Sequence, residues 1–164
     1  MAALTRSRIS ILSVVFATLF ASSAASQDGM ALQVVPSATS SDIIEFSRET
    51  LDAFDQVEFT TTTIWTDGDT HFSGVSLKAL LESIDANGST IEMVALNDYA
   101  VTMPISDLED GAPIIATRMD GNIMSVRDKG PFWVVFPYDS DTKYSTEVTY
   151  ARSIWQLTRL NIID

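Results

Sequence analysis

Cations are scarce in this 164-residue chain, with ten Lys and Arg against 22 Asp and Glu. Two of them stand together in Arg127-Asp128-Lys129-Gly130-Pro131, a Gly-Pro loop directly ahead of the most apolar run, Phe132 to Phe136. Donors on a rigid loop at the end of a sheet could hold an anionic or carbonyl-rich small molecule. Pairing of Arg127 and Lys129 with neighbouring acids is equally consistent with the pattern. A further cation, Arg152, precedes Ser153 between Tyr150 and Trp155. A flat ring stacked on Trp or Arg there would contribute about 0.5 to 2 kcal/mol per contact, whereas an Arg stem covering an apolar rim is the plainer alternative. Asn97-Asp98-Tyr99 gathers an amide, a carboxylate and a phenol. These groups read the donor and acceptor edge of a heterocycle, or simply form a turn.

Other chemistries are poorly supplied. The chain has no Cys and one His, His71, which removes thiolate ligands, thiol nucleophiles, disulfides and any two-His metal site. His71 follows Asp67-Gly68-Asp69 and reads as an exposed residue of a polar turn. Asp67-Gly68-Asp69 and Asp139-Ser140-Asp141 resemble fragments of calcium loops, but the remaining ligands of that pattern are missing, so no metal is expected. Nucleophile elbows, phosphate-binding Gly-rich loops and Glu-His zinc motifs are absent from the sequence.

The elements that must position these residues follow from periodicity. Val57 to Trp65 is rich in β-branched and aromatic residues, with Val57, Phe59, Thr61, Thr63 and Trp65 on one parity, and predicts a strand. Leu77, Leu80, Leu81 and Ile84 predict a helix over Val75 to Asp85, stopped by Asn87-Gly88. Ile91 to Leu96 and Tyr99 to Met103 predict a hairpin around Asn97-Asp98, with Pro104 ending its second arm. A helical turn is expected at Asp107 to Gly111 and short strands at Ile114 to Thr117 and Ile123 to Val126, around the turn at Asp120-Gly121. Phe132 to Phe136 lacks polar alternation and predicts a central strand buried on both faces. Tyr138 to Glu147 reads as a polar loop and Ser153 to Ile162 as a last strand. Strands outnumber helices without regular alternation, which predicts an α+β domain built on a mixed β-sheet with short helices.

At the N-terminus, Arg6 and Arg8, the 12-residue apolar run Ile9 to Phe20 and the small residues Ala21 to Ser26 stand in the order of a signal peptide. Residues 1–25 are expected to be removed on export, with cleavage near residues 24 to 26, leaving 26–164 as a single domain. The run is well short of the roughly 20 residues of a permanent membrane span. Without the leader, eight basic residues face 22 acidic ones, a net charge of −14. That sign repels nucleic acid and anionic lipid, so neither is an expected partner.

Several ordered motifs resemble one family. Gly74-Val75-Ser76-Leu77 leading into Leu80-Leu81, Ala95 to Tyr99, Arg127 to Pro137 and Arg152-Ser153-Ile154-Trp155 together resemble the oxidoreductase molybdopterin-binding domain, the sulfite-oxidase catalytic fold, from about Val57 onward. In its catalytic members a Cys ahead of the Gly-x-x-Leu helix binds molybdenum, whereas the corresponding region here is Thr60 to Thr63. A Thr hydroxyl cannot replace a soft sulfur donor. The chain is more similar to the short exported branch of that family, periplasmic proteins that bind a pterin without molybdenum and signal to a membrane-bound cyclic-di-GMP enzyme. What the resemblance implies is a non-catalytic periplasmic sensor with a pterin as ligand, held by Trp65, Asn97, Tyr99, Arg127, Lys129, Arg152 and Ser153, with Trp133 in the core. The alternative it leaves is a molybdopterin-dependent oxidoreductase or a subunit of one. A structural interaction module would use none of these residues as ligands.

Overall fold

The computed structural model describes residues 29–164, so the expected signal peptide lies outside the described residues. Among the described residues, ten strands form two five-stranded sheets, and three short α-helices occur in the connections. The first sheet contains β1 (Leu32–Val35), β2 (Ile44–Phe46), β5 (Thr90–Ala95), β6 (Ala100–Pro104) and β10 (Leu157–Ile163), in the order β2-β1-β10-β5-β6. The pair β1 and β10 is parallel and the rest antiparallel, so this sheet is mixed, as expected for the α+β class. The second sheet contains β3 (Gln56–Thr61), β4 (Thr70–Ser76), β7 (Ile114–Met119), β8 (Asn122–Ile123) and β9 (Trp133–Val135). β3, β4 and β7 pair in that order, and β7 then bonds both β8 and β9. Among the described residues no helix is long and apolar enough to cross a membrane.

The helices are too short to form unaided and each starts on a hydroxyl cap. Ser47 accepts from the Thr50 amide ahead of α1 (Arg48–Asp52), Ser76 from Ala79 ahead of α2 (Leu77–Ser83), and Thr146 from Thr149 ahead of α3 (Glu147–Ala151). Packing supplies the rest, since Leu77, Leu80 and Leu81 of α2 are buried in the larger apolar cluster. α1 is tied to β7 by a forked ion pair, Asp52 to Arg118 at 2.7 Å on both carboxylate oxygens, and by Arg48, whose guanidinium donates to the Thr117 carbonyl at 2.7 Å. That pairing holds the Asp52 carboxyl below its ordinary range, through the Arg118 hydrogen bond first.

β9 joins the two halves of the core. Its three residues are fully buried, and alternation sends Trp133 and Val135 into the smaller apolar cluster with Phe72, Ile114 and Ala116. Phe132, Val134 and Phe136 enter the larger one. Phe132 to Phe136 is buried on both faces as expected, but the strand is shorter and not central: it spans Trp133–Val135 and, among the described residues, pairs only with β7, while the Val134 amide donates to the Ile154 carbonyl. The close packing of β4 on β7 depends on Gly74, where a Cβ would lie 2.0 Å from the Ile115 carbonyl oxygen.

Six further expectations change. The predicted strand Val57 to Trp65 ends at Thr61, because the Asp139 carboxylate takes the Thr62 amide and both the Thr61 and Thr62 hydroxyls, and Thr63 Oγ1 then accepts from the Trp65 and Thr66 amides to form a turn. His71 lies on β4 rather than in a turn, opposite Thr60 and beside Glu58. Helix α2 starts at Leu77, since Val75 and Ser76 complete β4, and its terminal left-handed residue is Asp85 (φ 50°) rather than Gly88. The polar segment leads into α3, so Arg152 caps a helix and β10 begins only at Leu157, after Gln156 turns with φ 52°. The helical turn expected at Asp107 to Gly111 lies slightly earlier, at Ile105–Asp107, and β8 is shorter than expected. The hairpin β5–β6 stands as expected, with Asp98 left-handed (φ 62°) and the Asn97 side chain accepting from the Tyr99 amide at 3.1 Å.

Candidate functional site

The turn that displaces Trp65 from β3 places its ring at the centre of an aromatic group. Trp133, Tyr138, Tyr150 and Trp155 all meet it edge-on, with centroids 5.9, 6.2, 5.9 and 5.7 Å away. These are favoured quadrupolar arrangements, each contributing about 0.5 to 1.5 kcal/mol beyond area burial. They hold the indole in a fixed orientation while leaving it half-buried.

Trp65 separates two cavities. The first, of about 340 Å³, is lined by Trp65, Ala95, Asn97, Tyr99, Tyr150, Ala151, Ser153, Ile154 and Trp155. No charged side chain lines it; four of the nine lining residues are aromatic, and one amide and two phenols supply polar edges. The second, of about 300 Å³, is polar, and in it Lys129 faces Asp67, Asp120 and Asp128 alongside Trp65, Thr66 and Thr70. The Lys129 ammonium sits 4.3 Å from the Trp155 ring centre and 5.7 Å from that of Trp133. The ring quadrupoles attract the ammonium and hold it against the aromatic group.

The seven residues singled out from sequence divide accordingly. Trp65, Asn97, Tyr99 and Ser153 come together around the first cavity, and Lys129 borders the second. Arg127 is exposed and lines neither cavity. Arg152 turns away from Trp155 to pair with Asp107 at 2.9 Å, and the cation over Trp155 is Lys129 instead. Ser153 is buried with its hydroxyl engaged, accepting from the Tyr138 phenol at 2.6 Å and donating to the Thr149 carbonyl at 2.8 Å. Trp133 is core, as expected, although its indole N–H has no hydrogen-bond partner. Tyr150, Ala151 and Ile154 also line the wall and are not among the ligands expected from sequence, because α3 falls between the expected polar loop and the expected last strand.

The Thr60 to Thr63 region is occupied by protein chemistry. Asp139 clamps Thr61 and Thr62, and the backbone donor from Thr62, followed by the Thr62 hydroxyl, holds this carboxyl below its ordinary range. Thr60 Oγ1 meets His71 Nδ1 at 3.3 Å. The donors in this region are hard hydroxyls already engaged by Asp139, His71 and Thr66, and among the described residues no group of three or more His, Cys, Asp or Glu could hold a metal. Molybdenum does not fit this donor set. A planar heterocycle fits the first cavity, whose volume lies at the small end of the range for ligand sites.

No protein-family model matches the chain, and no curated protein matches it. Among solved structures it is similar to the sulfane dehydrogenase SoxCD from Paracoccus pantotrophus, with a TM-score of 0.61 at 15% identity. The match covers 85% of this chain and 39% of that one, so the present chain spans well under half of its structural neighbour's length. At that identity the likeness concerns the fold alone: the two-sheet α+β architecture is shared with part of that dehydrogenase.

Proposed function

We propose that this protein is an exported, non-catalytic pterin-binding protein that reports its ligand to a membrane-bound signalling partner controlling cyclic-di-GMP. The observation that carries the reading is the uncharged aromatic cavity between Trp65, Tyr99, Tyr150 and Trp155, beside a Thr60 to Thr63 segment that offers no soft metal donor. A pterin is planar, with a guanidine-like donor edge and a carbonyl. Ring faces suit the first property, while the Asn97 amide and the Tyr99 phenol suit the second. The signal-peptide-like leader and the net charge of −14 without it are consistent with a soluble exported carrier.

Titration of purified protein with a reduced pterin, followed by quenching of tryptophan fluorescence, tests the reading. Trp65 and Trp155 line the cavity and Trp133 packs against both, so saturable quenching at one equivalent is expected. Unchanged emission and no retained pterin would overturn it. A second reading, an oxidoreductase or a subunit of one that carries molybdopterin, draws on the fold likeness to a dehydrogenase. It predicts stoichiometric molybdenum in protein from a cofactor-competent host.

A further inference from the structure

The outer edge of β6 differs from those of β2 and β3. β2 carries Glu45 and β3 carries Glu58, charges of the kind that protect exposed strands from pairing. β6 runs Ala100-Val101-Thr102-Met103-Pro104 with no charge, and among the described residues no strand pairs with its outer side. Its hydrogen-bonding register is fixed at both ends, where the Ala95 amide donates to the Tyr99 carbonyl and the Ile105 amide to the Ser89 carbonyl, each at 2.8 Å. Antiparallel alternation then turns the amides of Ala100 and Thr102, and the carbonyls of Ala100, Thr102 and Pro104, away from β5.

This edge borders a groove of about 520 Å³ between β6 and α3, lined by Glu92, Tyr99, Ala100, Val101, Thr102, Val148, Ala151 and Arg152. Val148 and Tyr99 are each 57% exposed, large apolar side chains without cover. The elements that frame the groove carry Glu92, Asp98, Asp107 and Glu147 against the single cation Arg152, which Asp107 already pairs. Tyr99 also lines the aromatic cavity, so one side chain borders both the ligand space and the groove.

We propose that β6 is the docking edge for a partner protein, which adds an extended segment with alternating apolar and basic side chains as a sixth strand. The unpaired amides and carbonyls supply the main-chain bonds of strand addition, Val148 and Tyr99 the apolar contact, and the excess of carboxylates the preference for basic side chains. A second copy of this chain is disfavoured as occupant because each copy carries the same acidic excess. The identity of that partner as the signalling component rests on the function proposed above; the chemistry of the edge does not.

The test uses a nine-residue probe peptide of alternating Lys and Val, with its termini blocked, titrated into purified protein by calorimetry with backbone amide exchange in parallel. Saturable binding is expected, with exchange slowed at Ala100 and Thr102. Thr102→Pro removes an outward amide without breaking a bond to β5, and Val148→Lys places a like charge in the groove. Each is expected to weaken the peptide at least about tenfold while pterin quenching is unchanged. Equal binding to both variants, equal binding of a Glu-Val peptide, or self-association detected by light scattering would overturn the proposal. Loss of pterin quenching in the unmodified protein would instead overturn the function above, so the two failures are separable.

Discussion

Tyr138 gives its phenolic hydrogen to Ser153 Oγ at 2.6 Å, and Ser153 passes its own to the Thr149 carbonyl at 2.8 Å. This buried relay locks β9's exit loop to the end of α3 and thereby sets one wall of the aromatic cavity. Burial pushes the Tyr138 phenol well above its ordinary pKa, so it remains a donor throughout the physiological range. The role of Ser153 is therefore to shape the cavity rather than to offer its hydroxyl to a ligand.

Ser153→Ala should leave the Tyr138 hydroxyl buried without an acceptor and cost about 1 to 3 kcal/mol of stability. Tyr138→Phe in the same chain should restore most of that loss. Denaturant unfolding of the two single variants and the double variant checks it; additive losses in the double variant would contradict the relay.

Trp65→Ala removes the wall shared by both cavities and the ring that Trp133, Tyr138, Tyr150 and Trp155 pack against. Pterin affinity should fall at least about tenfold, with Trp65→Phe intermediate. Arg127→Ala and Arg152→Ala, whose side chains lie outside that cavity, should change affinity by less than about twofold. Fluorescence titration of the four variants separates cavity wall from peripheral charge.

Asp139→Ala should release Thr61 and Thr62 and lower the thermal midpoint at neutral pH. The folded carboxyl is held below its ordinary value by the Thr62 donors, so its contribution is complete above the unfolded carboxylate range. It is lost as pH falls through the lower, folded value. The difference in midpoint between wild type and variant should thus be flat near neutrality and shrink in acid, as scanning calorimetry across that range would show.

Much of this architecture was legible from local pattern. The β5–β6 hairpin followed from Asn97-Asp98 between two apolar runs, and the doubly buried β9 from five apolar residues without alternation. What escaped was set by distant partners. β3 stops at Thr61 because Asp139, remote in sequence, outbids the strand for the Thr62 amide. α3 has five residues and a Thr cap, too short for an amphipathic period to register. The same reason hid Tyr150 and Ala151 as cavity wall, whereas Asn97 and Tyr99 stand out as edge-reading residue types and Trp65 enters through the family resemblance; all three line the cavity.

Gly74→Ala should prevent β4 from seating on β7, because a methyl group cannot share space with the Ile115 carbonyl 2.0 Å away. The expected outcome is loss of soluble folded protein, read by circular dichroism and yield. A natively folded Ala variant would contradict the packing described for the second sheet.

The most direct test of the central claim is analysis of what purified protein releases on denaturation, by mass spectrometry for organic ligands together with elemental analysis for molybdenum. A pterin without molybdenum, absent from Trp65→Ala protein, is the predicted result. Stoichiometric molybdenum with molybdopterin, or no pterin either released or rebound, would contradict it.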